Sequence, residues 1–180
     1  RVVYGKNETA RCYPASMTKM LTCILTLEDG ATDKIVTITP NAALTEAVST
    51  GLKPGDKLSR AELLKALMLV SDNGAAVALA QAVAGNVPAF AKMMNDKAWE
   101  IGCTNTNFVN PNGLPASNHY STARDMAKIA AYCMENWDFR DIVSTKRETI
   151  HWMTPVDVTV KVENSNKLLG SYKATAFCGR

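Results

Sequence analysis

The sequence is poor in the side chains that metal and redox chemistry need. It holds two histidines, His119 and His151, and five cysteines, Cys12, Cys23, Cys103, Cys133 and Cys178. There is no CxxC pair and no Cys/His cluster at ligand spacing, so neither a metal site nor a cofactor is expected. The cysteine number is odd, and the thiols read mainly as small buried hydrophobes. No apolar run reaches the length of a membrane span. Lysine and arginine are scattered and the net charge is only +3, which argues against nucleic acid as a partner. Aromatic residues make up 7%, and Trp99, Trp137 and Trp152 are too dispersed to form a stacking platform. The opening "RVVYGKN" carries neither Met nor a signal-peptide pattern, so a longer native precursor stays open.

What is present is a chain of 180 residues, 47% of them hydrophobic, enough for one well-buried core and too little for two large domains. Residues 1–180 are therefore expected to form one domain. "RVVY" reads as a strand. "PASMTKMLTCILTLEDG" reads as a helix from the helical spacing of Met17, Met20, Leu21, Ile24, Leu25 and Leu27, with Gly30 as its stop. "KIVTIT" alternates like a strand and "GLKPGDKLS" is turn chemistry. Ser59 caps the helix "RAELLKALMLV", with Glu62 at the capping-box position. "AAVALAQAVAG" is apolar all round and is expected to be a central, buried helix. "VPAFAKMMNDKAWEIG" is a further helix, and "CTNTNFVNPNGLPASNHY" is a long loop. "STARDMAKIAAYCMENW" is a helix capped by Ser121 or Thr122. "RETIHW" and "VDVTVKV" are strand-like. The order of strand, many helices, then strands predicts an α+β fold in which a helical group is inserted into an antiparallel sheet.

Two stretches carry chemistry. In "CYPASMTKML", Ser16 stands three residues before Lys19. Taken alone, the pair fits a helix start with a solvated lysine. It also fits a nucleophile and its base, since residues three apart share a helix face and a serine hydroxyl needs a base to take its proton. Lys19 could serve only with a lowered pKa, and its apolar neighbours make burial plausible. In "LVSDNGAA", Ser71, Asp72 and Asn73 break two apolar helices. They read either as a capped connector or as polar groups facing a cleft, because buried polar groups need partners. His119 reads as loop packing or capping, and Met68, Met93, Met94 and Met126 as core filler.

SxxK followed by SDN at this distance is the signature of penicillin-binding proteins and serine β-lactamases. With "GLKPGDKLSRAELLKALMLVSDNGAAVALAQAVAG", "TNFVNPNGLPASNHYSTARDMAKIA" and "NSNKLLGSYK", the chain resembles the low-molecular-mass D-alanyl-D-alanine carboxypeptidases over nearly its whole length. The resemblance implies Ser16 as acylated nucleophile, Lys19 as its base and Ser71 as proton relay to the leaving D-alanine. It implies Asn73 as the group that binds the substrate carbonyl and orients Lys19, and the Ser16 N–H as half of the oxyanion hole. Asp72 stands where many relatives have glycine and receives no catalytic role. The implied substrate is a peptidoglycan stem peptide ending in D-Ala-D-Ala. The implied covalent inhibitors are β-lactams, and the implied place is outside the bacterial cytoplasm, with a membrane tether elsewhere in the protein.

The family's third motif, Lys-Thr-Gly, does not occur in the sequence. The 180 residues are thus expected to be part of a longer catalytic domain and impaired alone. The glutamate that class A β-lactamases carry after SDN has no counterpart in "CTNTNFVNPNGLPASN", so an acyl-enzyme is expected to persist. A serine β-lactamase, or a non-catalytic penicillin-sensing or peptidoglycan-binding module, is the alternative.

Overall fold

Residues 4–171 are described by the structure, a computed structural model. Arg1–Val3 of the expected first strand lie outside this range, as does Cys178; Tyr4 is not in a strand. A two-residue strand, β1 (Arg11–Cys12), leads into a single 3-10 turn over Ala15–Met17 and then helix α1 (Thr18–Asp29). Gly30 ends α1 with φ +74°, a backbone conformation that glycine adopts without a Cβ clash. There follow β2 (Ile35–Thr37), a short α2 (Pro40–Ala43), β3 (Lys57–Ser59), α3 (Arg60–Leu69), α4 (Asn73–Ala84) and α5 (Val87–Glu100). The second half contains β4 (Ser121–Thr122), α6 (Ala123–Cys133), α7 (Trp137–Ser144), β5 (Arg147–His151), β6 (Thr159–Glu163) and α8 (Leu168–Ser171).

The α+β class is as expected. The described strands pair as three separate antiparallel ribbons, β1 with β4, β2 with β3 and β5 with β6. The tail of the segment read as a turn, Lys57–Ser59, is β3, because Leu58 alternates inward to the core while Lys57 stays exposed. The second hairpin strand begins at Thr159 rather than Val156.

Capping fixes where the helices start. Ser59 Oγ accepts from Glu62 N at 3.2 Å, Asn86 Oδ1 from Ala89 N at 2.8 Å, and Thr122 Oγ1 from Asp125 N at 3.1 Å. The capping box at Ser59 is half made, since the Glu62 carboxylate turns instead to Lys65 and to the His151 N–H. α4 lies at the centre, packed by α1, α2, α3 and α5. Every residue from Asn73 to Ala80 is buried, and the small side chains of Ala75, Ala76, Ala78 and Ala80 let the neighbouring helices come close. Leu21, Leu63, Leu67 and Phe90 fill the core around it, against its own Leu79. Met94 and Met126 are buried, and Met68 and Met93 pack partly buried against the same cluster. Cys23, Cys103 and Cys133 are buried and Cys12 is exposed, all as free thiols.

One buried cation braces the helix ends. Arg60, 1% exposed, pairs with Asp29 and donates to the carbonyls of Gly30 at 3.0 Å and Ala82 at 2.9 Å. It thereby places positive charge at the C-terminal ends of α1 and α4, where orphan carbonyls favour it. No single described helix is long and apolar enough to cross a membrane.

Candidate active site

The site forms where three chain breaks meet: the 3-10 turn before α1, the junction between α3 and α4, and the loop after α5. Ser16 caps nothing. Pro14 and Met17 hold the cap positions around it, neither with a side-chain cap bond. The Ser16 hydroxyl instead lies 3.2 Å from Lys19 Nζ and accepts from the Ser71 hydroxyl at 3.0 Å. The first predicted pair is therefore assembled one helical turn apart, as the spacing requires.

Lys19 is only 2% exposed. Its Nζ has three acceptors: Ser16 Oγ, Asn73 Oδ1 at 2.7 Å and the Asn112 carbonyl at 2.7 Å. Burial pushes its pKa down to about 8, and the carboxylate of Asp72 partly offsets this. The acceptor set matters for the neutral amine. Asn73 Oδ1 and Asn112 O can only accept, so both must be met by N–H groups. The amine's lone pair is then left facing Ser16 Oγ, the one neighbour with a proton to give. The arrangement can take a proton from a serine.

Ser71 is held in the left-handed region at φ +59°, which only a short list of residue types tolerates without cost. This kink turns its hydroxyl back from the helix junction onto Ser16. Asp72, not Ser71, is the N-cap of α4: its Oδ1 accepts from Ala75 N at 2.8 Å. Its Oδ2 accepts from both the N–H and the hydroxyl of Thr50, each at 2.8 Å. Asn73 uses its other end to donate to the Glu46 carbonyl at 2.8 Å. Asp72 and Asn73 thus fasten the 44–50 segment beside the site. The α4 start also meets this segment and α2 sterically, since a Cβ on Gly74 would come within 2.8 Å of Val48 Cγ2 and of Ala42 O.

All four predicted residues, Ser16, Lys19, Ser71 and Asn73, come together. The sequence did not point to the main-chain partners. Asn112 O on Lys19 and Glu46 O on Asn73 are carbonyls, which every residue carries and no motif marks.

Residues 1–177 match the D-alanyl-D-alanine carboxypeptidase family of peptidases. The chain belongs to this family. It is 35% identical over 177 residues to the D-alanyl-D-alanine carboxypeptidase DacF of Bacillus subtilis, covering 96% of this chain and 45% of that protein. It is 36% identical to DacA of Haemophilus influenzae, over 87% of this chain and 45% of that one. The chain therefore spans about half the length of the curated relatives it matches. Among solved structures, the Streptomyces K15 DD-transpeptidase superposes with a TM-score of 0.87 at 33% identity, over 95% of this chain and 71% of that one. Penicillin-binding protein 5 of Haemophilus influenzae gives 0.83 at 34% identity, over 95% and 50%.

Proposed function

We propose that the protein is a serine-type D-Ala-D-Ala carboxypeptidase that trims peptidoglycan stem peptides through an acyl-serine intermediate and is inhibited by β-lactams. The observation that carries this reading is the buried Lys19, with a pKa near 8, held 3.2 Å from a serine hydroxyl that Ser71 also contacts at 3.0 Å. Neutral Lys19 takes the Ser16 proton as Oγ attacks the carbonyl carbon of the penultimate D-alanine. The tetrahedral intermediate collapses, the C–N bond breaks, and the departing D-alanine amine takes a proton relayed through Ser71. Water then cleaves the ester and returns the proton to Ser16. Asn73 holds Lys19 in line and offers its amide to the substrate carbonyl. The substrate places the enzyme outside the bacterial cytoplasm.

Among the described residues, the acid closest in its effect on Lys19 is Asp72, and both its oxygens are already committed to Ala75 and Thr50. A carboxylate so bound is poorly placed to activate water, which favours a slowly hydrolysed penicilloyl-enzyme over efficient β-lactam turnover. The test is intact mass spectrometry of the full-length protein after benzylpenicillin, with Ser16→Ala as control. One persistent adduct, absent in Ser16→Ala, together with release of D-alanine from a D-Ala-D-Ala peptide, supports the reading. Fast turnover of a chromogenic cephalosporin would make it a β-lactamase. An adduct without D-alanine release would make it a sensing module. Neither adduct nor turnover on the folded protein would overturn the reading of Ser16 as a nucleophile.

A further inference from the structure

The direction of the Lys19 lone pair depends on where the Asn112 carbonyl sits, and that carbonyl rides on a loop. The 109–114 segment is stiffened internally. Asn110 Oδ1 accepts from Gly113 N and its Nδ2 donates to Leu114 O, both at 2.8 Å, while Asn112 Oδ1 accepts from Leu114 N at 3.0 Å. A stiff loop delivers its carbonyl accurately only if its base is fixed to the element that carries the lysine. Thr22 makes one such tie, donating to Pro111 O at 2.7 Å.

The other tie is His119. It is 1% exposed, and both ring nitrogens are engaged. Nδ1 lies 3.1 Å from the Val109 N–H, and Nε2 lies 2.9 Å from Thr18 Oγ1, the residue next to Lys19. A backbone N–H can only donate, so Nδ1 must carry a lone pair and the ring proton must sit on Nε2, donating to Thr18. An imidazolium would set two N–H groups against each other at Val109. Burial, which holds the pKa of His119 below its ordinary value, works in the same direction. The Phe108 ring meets the imidazole edge-on at 5.6 Å between centroids and limits its tilt.

We propose that His119 is a positioning residue: as the neutral Nε2–H tautomer it latches the base of the 109–114 loop to the first turn of α1, and so keeps the Asn112 carbonyl on Lys19 and the amine lone pair on Ser16. The proposal rests on the reading of Lys19 as base to Ser16. Without the latch, Lys19 gains freedom to point its lone pair elsewhere, and the step that suffers is acylation rather than binding.

The test compares His119→Ala, His119→Phe and His119→Gln with the parent in the full-length protein. The readouts are the acylation rate constant and the binding constant for benzylpenicillin, and the melting temperature. The two heteroatoms of a glutamine amide have nearly the separation of the two imidazole nitrogens, one accepting and one donating, so Gln can remake both bonds while Phe restores only bulk. The expected result is acylation slowed by about 10- to 100-fold in Ala and Phe, with near-parent binding, and recovery to within a few-fold in Gln. If Phe recovers acylation as well as Gln, or if Ala leaves the rate constant unchanged, the latch is wrong. If Ser16→Ala does not abolish the parent's adduct, the reading of Ser16 has failed, whatever the His119 variants do.

Discussion

Gly113 lies directly against the backbone of Ala15: a Cβ on Gly113 would fall 1.9 Å from the Ala15 carbonyl oxygen and 3.1 Å from Ser16 N. Gly113 also sits at φ +87°, so both its conformation and its neighbour demand the absence of a side chain. The turn that presents the Ser16 hydroxyl is thus seated on the same loop that presents a carbonyl to Lys19.

Gly113→Ala must push either the loop or the turn. The expected outcome is a loss of about 100-fold or more in Ser16 acylation by benzylpenicillin, and a loss of stability of about 1–3 kcal/mol. Gly55→Ala is the control. Its φ is +89°, but no atom lies within 4 Å of the added Cβ. It should cost about 1 kcal/mol of backbone strain and leave acylation unchanged.

Acylation should rise with pH through about 8, because Lys19 becomes an effective base only when neutral and burial holds its pKa there. Stability carries the matching signature. The folded-state pKa lies below the unfolded value near 10.4, so the unfolded chain binds the proton more readily between the two. Stability therefore falls as pH drops from about 10.4 to about 8 and levels off below, by about 3 kcal/mol from this one group. Denaturant titrations at several pH values should show this slope in the parent and its loss in Lys19→Met.

Asp72 raises the Lys19 pKa by its charge. Asp72→Asn should move the midpoint of the acylation–pH profile to lower pH. It keeps one acceptor for the Ala75 N–H but leaves Thr50 without its present partner, at a cost of about 1–3 kcal/mol. Asp72→Ala removes the cap as well and should be the less stable of the two. A midpoint that stays in place in Asp72→Asn would mean that the carboxylate does not act on Lys19.

Arg60→Met should melt at a clearly lower temperature, by about 1–3 kcal/mol in stability, because the carbonyls of Gly30 and Ala82 and the half-exposed Asp29 lose a shared partner at two helix ends. Since Arg60 lies away from Ser16, the fraction that remains folded should be acylated at the parent rate. A slower rate in that fraction would show that the far ends of α1 and α4 are coupled to the site.

Helices with a cap and a long periodic run were legible: Ser59, Gly30 and the apolar run after Asn73 each marked an end or a face that the structure keeps. α7 was not, since Trp137–Ser144 is eight residues long and follows α6 after a break of three, too short for periodicity to separate the two. β1 and β4 are two residues each and exist only because distant segments pair. At the site, Ser16, Lys19, Ser71 and Asn73 were legible because side-chain chemistry has a residue type and a spacing. His119 reads as loop packing or capping in the sequence; its bond to Val109 is local, ten residues apart, but its bond to Thr18 depends on a fold contact across 101 residues. The seat at Gly113 is a steric fact about two backbones, and no pattern of residue types encodes it.

α4 acts as a shim. Its inner faces are mostly alanine, and it packs against the helix bearing Lys19 while its own start, Asn73, and the Ser71 just before it reach the site. The bonds that align the site tolerate a few tenths of an ångström, whereas one added methyl group is several times wider. How closely this mostly alanine helix seats against α1 therefore sets how Asn73, and Ser71 just before it, meet Lys19 and Ser16. Variation that enlarges Ala76 or Ala78 would strike enzymatic precision before it struck the fold, so an inhibitor-resistant or repurposed descendant has more freedom along its exposed loops than in its greasiest helix.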